Sequence, residues 1–396
     1  GGTLCPSYKA TRNEKDSTRA RANMLREMLN TSTKSNPFDS KELYEVMDLC
    51  LMCKACKSEC PSSVDMARLK SEFLQHYYDE QGEPFRTQIV ANISLIYKFA
   101  SNFPQISNFF LKNKLFSNII KNIIGFAKER HFQLLSKTTL QKWYMKNYIH
   151  STDKPIVYLF NDEFTNYQDA DIGIKAIKLL DKLGYNVIIP EHTESGRAYL
   201  SKGFVKKAKE IANENVNVLK DIITDKTPLI GIEPSAILSF RDEYPDLVDK
   251  ELREDSMKLA ENCLLFDEFI CREILKNRIS QNLFTDDAKQ ISLHTHCHQK
   301  SLSTSESLKT MLTLPKNYTV SEIPSGCCGM AGSFGFEKEH YAISQYIGEL
   351  ILFPSIRKLE ENVIIAAPGT SCRHQIMEGT GRIALHPIEI LYNALK

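Results

Sequence analysis

The run Cys50-Leu-Met-Cys53-Lys-Ala-Cys56-Lys-Ser-Glu-Cys60-Pro61 constrains this chain more than any other feature. Its spacing is C-x2-C-x2-C-x3-C-P. Three thiolates, each separated from the last by two residues, bend one short loop around three corners of an iron–sulfur cubane. The fourth follows a longer step and points away, and the proline fixes the exit of the loop. Buried or zinc-binding cysteines are the alternative, but four such spacings followed by proline rarely coincide by chance.

This is the run of bacterial-type ferredoxins, in whose two-cluster forms the fourth cysteine serves the other cluster. The opening GGTLCPSYKATRNEKDSTRARA carries a second Cys-Pro at Cys5-Pro6. It reads as the tail of a first run whose other cysteines lie upstream. On that rule Cys5 completes the cubane of Cys50, Cys53 and Cys56, and Cys60 belongs to a cluster that needs upstream residues. The alternative is that Cys60 closes its own cluster and Cys5 is idle.

The 396 residues contain eleven cysteines, clustered rather than spread as a disulfide framework. No secretory leader is recognisable, and no run approaches the roughly 18 apolar residues needed to span a bilayer. The expected compartment is cytoplasmic and reducing, with thiols available as metal ligands. A net charge of +1 gives no reason to expect nucleic acid as a partner.

Four parts follow along the chain. Residues 1–82 hold five cysteines among helix-period segments such as STRARANMLREML and SKELYEVMDLC. Residues 83–153 are basic, aromatic and helix-rich, with a break at Pro104. Residues 154–280 and 281–396 alternate short β-type runs with helices, the pattern of parallel α/β units. Candidate strands are IVYLF, NVIIP, PLIGI, ISLHT, YTVSEI and NVIIAA. The two units repeat: KPIVYLFNDEF aligns with KQISLHTHCHQ, GYNVIIPEHTESGRAYLSKGF with NYTVSEIPSGCCGMAGSFGF, and TPLIGIEPSAILSF with ENVIIAAPGTSCRHQI. The expected fold is α/β, an all-helical ferredoxin-like domain followed by two tandem Rossmann-like units.

In the second unit Cys297, Cys327, Cys328 and Cys372 fall at strand ends. The first unit has Asp162, Glu194, Ser195 and Ala236 in their places, which marks it as scaffold. Vicinal cysteines suit a multi-iron cluster better than one small tetrahedral ion, and the glycines of SGCCGMAGSFGF let the backbone approach closely. Arg373, beside Cys372, would favour a bound thiolate. A structural zinc or a metal-free buried pair are the rival readings. The histidines are ordinary hydrogen-bonding residues on this reading, with His298 and His374 as the further candidate ligands or proton carriers. Cys263 and Cys271, in the helical pattern KLAENCLLFDEFICREIL, are expected to be inert.

In the basic stretch ten Lys and Arg residues, among them Lys98, Lys112, Lys114, Lys121 and Arg130, face Glu129 alone between residues 84 and 147. Such helices can lie on an anionic bilayer. Packing on neighbouring domains, with a solvated basic face, is the preferred reading, and docking on a flavin domain is a third.

Together these features resemble proteins with CxxCxxCxxxCP followed by duplicated cysteine-rich "CCG" domains. Examples are the iron–sulfur subunits of glycolate oxidase and of anaerobic glycerol-3-phosphate dehydrogenase, the lactate-utilisation iron–sulfur proteins and the CCG-bearing subunit of heterodisulfide reductase. The segments CPSYKATRNEKDSTRARA, TNYQDADIGIKAIKLL, GIEPSAILSFRDEYPDL, HTHCHQKSL, SGCCGMAGSFGF and GTSCRHQI are closer to one branch. That branch is the C-terminal iron–sulfur half of fused FAD-linked oxidases, similar to D-2-hydroxyglutarate or D-lactate dehydrogenases. The resemblance implies FAD in an upstream half and a 4Fe-4S cluster here. It also implies a second cluster, or zinc, in the last unit, and electron flow from flavin to a quinone, cytochrome or flavoprotein. A FAD-binding oxidase domain is the implied partner, and a peripheral seat on the inner face of the membrane is compatible with it. The family pattern ends each unit in CxxC, whereas here it reads Gly369-Thr370-Ser371-Cys372, so a four-thiolate cluster or one with a histidine fits better than a five-thiolate one. No G-x-G-x-x-G fingerprint or hydroxy-acid site is present in the sequence, which assigns the chain electron transfer rather than substrate oxidation. The rivals are a heterodisulfide-reductase-like thiol–disulfide protein and a non-redox module with structural zinc.

Overall fold

Eight short strands in two separate parallel sheets organise the larger part of the molecule in the computed structural model, which describes residues 5–396. The first sheet comprises β1 (Ile156–Phe160), β2 (Asn186–Ile188), β3 (Leu229–Gly231) and β4 (Cys263–Leu265), in the order β2-β1-β3-β4. The second comprises β5 (Lys289–Leu293), β6 (Tyr318–Glu322), β7 (Ile364–Ala366) and β8 (Ala384–Leu385), in the order β6-β5-β7-β8. Both orders reverse direction beside the first strand of the unit. Loops leaving the strands on either side of such a point diverge and open a crevice at the carboxyl ends.

Helices cover these strands, so their sequences are apolar runs rather than alternations. Val157, Leu159, Ile230 and Leu293 are fully buried in one core shared by both units. Burial of each such side chain contributes roughly 2 kcal/mol. Among the described residues, no helix is long and apolar enough to cross a membrane.

Two strands depart from expectation. The sequence pattern puts Cys263 inside a continuous helical segment, but Cys263–Leu265 is β4, paired with β3 through Leu229↔Cys263 and Gly231↔Leu265. Helices at Arg253–Glu261 and Phe266–Leu275 flank it, so their joint periodicity conceals a three-residue strand. β8 is shorter still and gives no periodic signal. Cys263 is fully buried in β4, and the Cys271 thiol meets the Ser307 carbonyl at 3.2 Å.

Before the sheets come helices at Pro6–Thr11, Thr18–Thr31, Lys41–Asp48, Ala55–Glu59 and Met66–Gln81. Ser17, Ser40 and Asp65 cap three of them by accepting from the Ala20, Leu43 and Ala67 amides. Leu43, Met47 and Phe73 form the centre of their common core.

The basic stretch forms helices at Phe85–Ala91, Ile93–Ala100, Pro104–Lys112, Lys114–Ile124 and Leu140–Asn147. Pro104 opens a helix, where its missing N–H costs nothing. The segment does not carry one uniform solvated basic face. Arg130 is fully buried: its Nε donates to the Gly335 carbonyl at 2.6 Å and Nη2 to Ser344 Oγ at 2.8 Å, and Nη1 pairs with Glu378. Lys121 is also buried, on the Lys128 carbonyl at 3.1 Å. Large apolar side chains of the same helices stand outside, with Phe99 75% and Leu115 67% exposed.

Candidate metal centres

The loop from Cys50 to Cys56 is curled by two non-glycine residues in left-handed conformation, Met52 (φ 53°) and Lys54 (φ 60°). Each costs roughly 1 kcal/mol and persists only where its surroundings hold it. The Met52 carbonyl accepts from His298 Nε2 at 3.0 Å. The Lys54 ammonium is enclosed by Asp65 at 3.0 Å, Asp242 at 2.5 Å and Glu243 at 3.0 Å. Lys70 Nζ grips the carbonyls of Asp48 and Cys50 from beneath, at 3.0 and 2.9 Å. These contacts hold the loop's backbone from both sides of Cys53. Burial raises the Cys53 thiol well above its ordinary value, and neighbouring Cys297, Cys50 and Cys56 add to this. Burial likewise pushes Cys56 up to about 11.

Cys5 is tied to the same loop through Arg21. This guanidinium is buried, donates to Cys5 Sγ at 3.1 Å, to Ser7 Oγ at 3.0 Å and to the Val46 carbonyl at 3.0 Å, and lies within the fields of both Cys5 and Cys50. Burial alone would raise the Cys5 thiol. Arg21, Ser7 and the Tyr8 amide outweigh it and hold the thiol below its ordinary value. Cys60 has other surroundings. The backbone amides of Val64, Ser62 and Ser63 act on it and lower its pKa.

In the second unit Cys297 begins the helix Cys297–Leu302 after β5. Cys327 and Cys328 lie in the loop after β6, and Cys372 is on the helix Thr370–Thr380 after β7. All four therefore occupy carboxyl ends of strands. Contacts run in series from Cys297 to Cys327, Cys328 and Cys372. The Cys327 hydrogen bond, against burial, lowers Cys297 to about 7. Bonds from Cys327 and Cys372 hold Cys328 well below its ordinary value, while Cys327 and Cys372 are themselves driven well above theirs. Four adjacent thiols, three of them buried, cannot all ionise without a cation among them. Soft donors in this arrangement fit iron–sulfur or zinc.

The loop around Cys327 has no slack. Gly329 has φ +94°, and a β-carbon there would lie 2.3 Å from the Ser344 carbonyl oxygen. Its amide donates to Cys327 Sγ at 3.4 Å. Arg130 clamps this loop through Gly335 and Ser344, a role that its place in a basic segment does not signal. Arg373, expected to act on the thiolates, instead pairs with Asp169 and donates to the Pro368 carbonyl at 2.7 Å.

His298 and His374 both border the cavity described below, but each has its Nε2 engaged elsewhere: His298 on Met52, His374 3.2 Å from Glu378. The imidazole that reaches the thiols is His294, which the sequence presents as an ordinary hydrogen-bonding residue. A ring nitrogen of His294 and the sulfurs of Cys328 and Cys372 all lie within 4.8 Å of one another. No spacing signal marks it, because it stands three residues before Cys297 on an apolar strand end.

Two of the positions aligned with the thiols in the first unit, Asp162 and Ser195, are closed by side-chain hydrogen bonds. Asp162 caps the helix Glu163–Tyr167, and Ser195 Oγ donates to Glu163 at 2.7 Å. Glu233 of this unit accepts from the Thr370 amide at 2.9 Å, so it also supports the helix that bears Cys372.

The two thiol sets adjoin. Cys53 feels the charge of Cys297, and Ser301 Oγ donates to the Cys53 carbonyl at 3.3 Å. A cavity of about 730 Å³ is bordered by Cys50, Cys297, Cys327, Cys328 and Cys372. Residues 3–65 match the family described as a 4Fe-4S dicluster domain. Thiols so grouped, in a chain with that match, define an iron–sulfur protein with an electron-transfer role.

The chain is 26% identical to the D-2-hydroxyglutarate dehydrogenase of Haemophilus influenzae, over 99% of this chain and 42% of that protein. The Escherichia coli D-2-hydroxyglutarate dehydrogenase gives the same identity and coverage. One subunit of the anaerobic glycerol-3-phosphate dehydrogenase of Escherichia coli is also 26% identical, over 80% of this chain and 79% of that subunit. These homologues are dehydrogenases, and the chain spans about two-fifths of the length of the D-2-hydroxyglutarate enzymes.

Proposed function

We propose that this chain is the iron–sulfur relay of a FAD-linked 2-hydroxy-acid dehydrogenase, carrying electrons from a flavin domain to an acceptor such as a quinone, cytochrome or flavoprotein. The observation that supports it is the adjacency of Cys53 and Cys297, which sets two thiol groups side by side in one buried region. Iron–sulfur clusters, when bound, take and release single electrons. The chain's own part is to hold them. Cys5, Cys50, Cys53 and Cys56 would hold a 4Fe-4S cluster with Arg21 offsetting its negative charge. Cys297, Cys327, Cys328 and Cys372 would hold the second centre. Residues 1–82 then act as the ferredoxin-like part, 83–153 as a connecting layer, 154–280 as a CCG unit without thiols, and 281–396 as the CCG unit that binds metal.

Anaerobic purification with iron, sulfide and zinc counts tests this, together with EPR after reduction. Iron and sulfide at both thiol sets, and reversible reduction by the flavin domain with its hydroxy acid, are expected. Zinc without sulfide at the second set would replace the relay with a structural staple there. Turnover of a disulfide by the reduced protein would favour the thiol–disulfide reading.

The helical layer carries a second part of the proposal, a peripheral seat on an anionic bilayer. Phe99, Phe103, Ile106, Phe109, Leu115 and Ile123 are all more than half exposed and do not border the cavity. Exposed Lys98, Lys112 and Lys114 lie among them, and no acidic residue occurs between Glu83 and Glu129. This combination suits a face lying on acidic lipid headgroups. The protein should float with vesicles containing one-third phosphatidylglycerol and not with neutral ones. If neither recruits it, and the flavin domain protects these residues from labelling, the layer is an interdomain face.

A further inference from the structure

We propose that His294 is a metal ligand of the second centre, joining Cys297, Cys327, Cys328 and Cys372 through Nε2. The inference rests on the reading that these thiols hold metal, and it specifies their fifth donor.

His294 directly follows β5, where its amide donates to the Ala366 carbonyl at 2.8 Å and fixes the backbone. The side chain is fully buried. Nδ1 lies 2.7 Å from Ser325 Oγ, while Nε2 has no hydrogen-bond partner. No nitrogen or oxygen partner replaces the hydration that Nε2 loses on burial, which costs up to roughly 1–3 kcal/mol, and the ring's further polar contact is with the Cys328 thiol. The orphan nitrogen belongs to a ring whose other neighbours are the sulfurs of Cys328 and Cys372. A metal bound to those sulfurs removes that cost.

The Ser325 hydroxyl beside Nδ1 can accept as well as donate, so it is compatible with the required tautomer. If Nδ1 donates its proton to Ser325 Oγ, Nε2 presents a lone pair. Such an outer partner is how ligating imidazoles are ordinarily oriented. Ser325 is itself held, since Lys300 Nζ donates to its carbonyl at 2.7 Å. The ring therefore has one permitted direction, and it faces the thiols.

The sulfur inventory leaves room for this donor. Gly369 stands three residues before Cys372. A β-carbon at Gly369 would come within 2.4 Å of the His296 ring and 3.3 Å of Cys372 Sγ. No thiol side chain fits there, so a donor beyond the four thiols would come from the β5 side, where His294 is. His296 does not compete: its Nδ1 accepts from the His298 amide at 3.2 Å, and its Nε2 faces Glu233.

The test uses the anaerobically purified full chain, grown with natural-abundance and with ¹⁵N-labelled histidine. Pulsed EPR of the reduced second centre should show a nitrogen coupling that changes with the label. His294→Ala should abolish that coupling, and His294→Cys should abolish it while keeping the iron count. Ser325→Ala should retain the coupling but lose metal to a chelator about tenfold faster, the size of effect usual for an outer partner. If the second centre is zinc, X-ray absorption should require one nitrogen at about 2.0–2.1 Å beside sulfurs at about 2.3 Å. A wild-type spectrum insensitive to the label, or an all-sulfur zinc shell, overturns the assignment while leaving the relay intact. A second site empty of any metal in the native protein overturns both, and the metal count alone reveals it.

Discussion

His298 donates from Nε2 to the main-chain carbonyl of Met52 at 3.0 Å, so a residue beside one thiol set supports the loop that carries the other. Burial keeps the His298 ring neutral, its pKa well below the ordinary histidine value. His298→Ala would leave a buried carbonyl without a partner, at a cost of about 1–3 kcal/mol. Metal at both sites should be retained, and the midpoint of denaturant unfolding should fall. His298→Gln, which can still donate, should recover part of the loss.

Cys5 and Cys60 are separable by experiment. Arg21 connects Cys5 to the field of Cys50, whereas backbone amides surround Cys60. Cys5→Ser should therefore remove or reshape the reduced EPR signal of the 4Fe-4S cluster, and Cys60→Ser should leave it in place. The reverse pattern would make Cys60 the fourth ligand.

Lys54 has a side chain only 1% exposed and neutralises three carboxylates drawn from two parts of the molecule. Lys54→Met would remove the one cation shared by Asp65, Asp242 and Glu243; Lys57, Arg68 and Arg197 still pair with them, so the loss should stay below the roughly 3–5 kcal/mol of a fully orphaned buried pair. Adding Asp242→Asn should cost less than the sum of the separate changes, because they share one network. Differential scanning calorimetry of the three variants measures this.

The His340 imidazole lies 2.7 Å from Asp48 and 3.1 Å from Glu337. Burial opposes its charge, but hydrogen bonds to Asp48 and Glu337 prevail and raise its pKa to about 9, from 6.5. The proton is bound more tightly in the folded state. Its contribution is complete below pH 6.5 and disappears as pH rises through about 9. The shift corresponds to about 3 kcal/mol. Unfolding free energy should fall across that window in the wild type, and the fall should be much smaller in His340→Gln.

Much of this arrangement is legible in the letters alone. Short β-branched runs such as IVYLF and NVIIAA, with helices between, lead to parallel sheets because strands covered on both faces need no alternation. The CxxCxxC run is equally plain, since loop geometry alone dictates its spacing. What escapes is decided by tertiary contact. Cys263–Leu265 is a strand only because β3 offers it a partner. Arg130 leaves its basic segment to bind Gly335 and Ser344, more than two hundred positions away. Arg373 turns toward Asp169, and the cation beside a thiol proves to be Arg21. His294 is hidden for the same reason: its importance lies in an unused nitrogen, which no pattern of letters records.

The join between the CxxC loop and the thiol-bearing unit consists of a main-chain carbonyl held by an imidazole, another held by a serine, and an enclosed ammonium. A carrier assembled in this way has no swinging arm. If both halves carry clusters, as proposed, passage of charge between them requires no diffusive search, so thickening the solvent with glycerol should leave that internal rate unchanged while slowing every encounter with an outside partner.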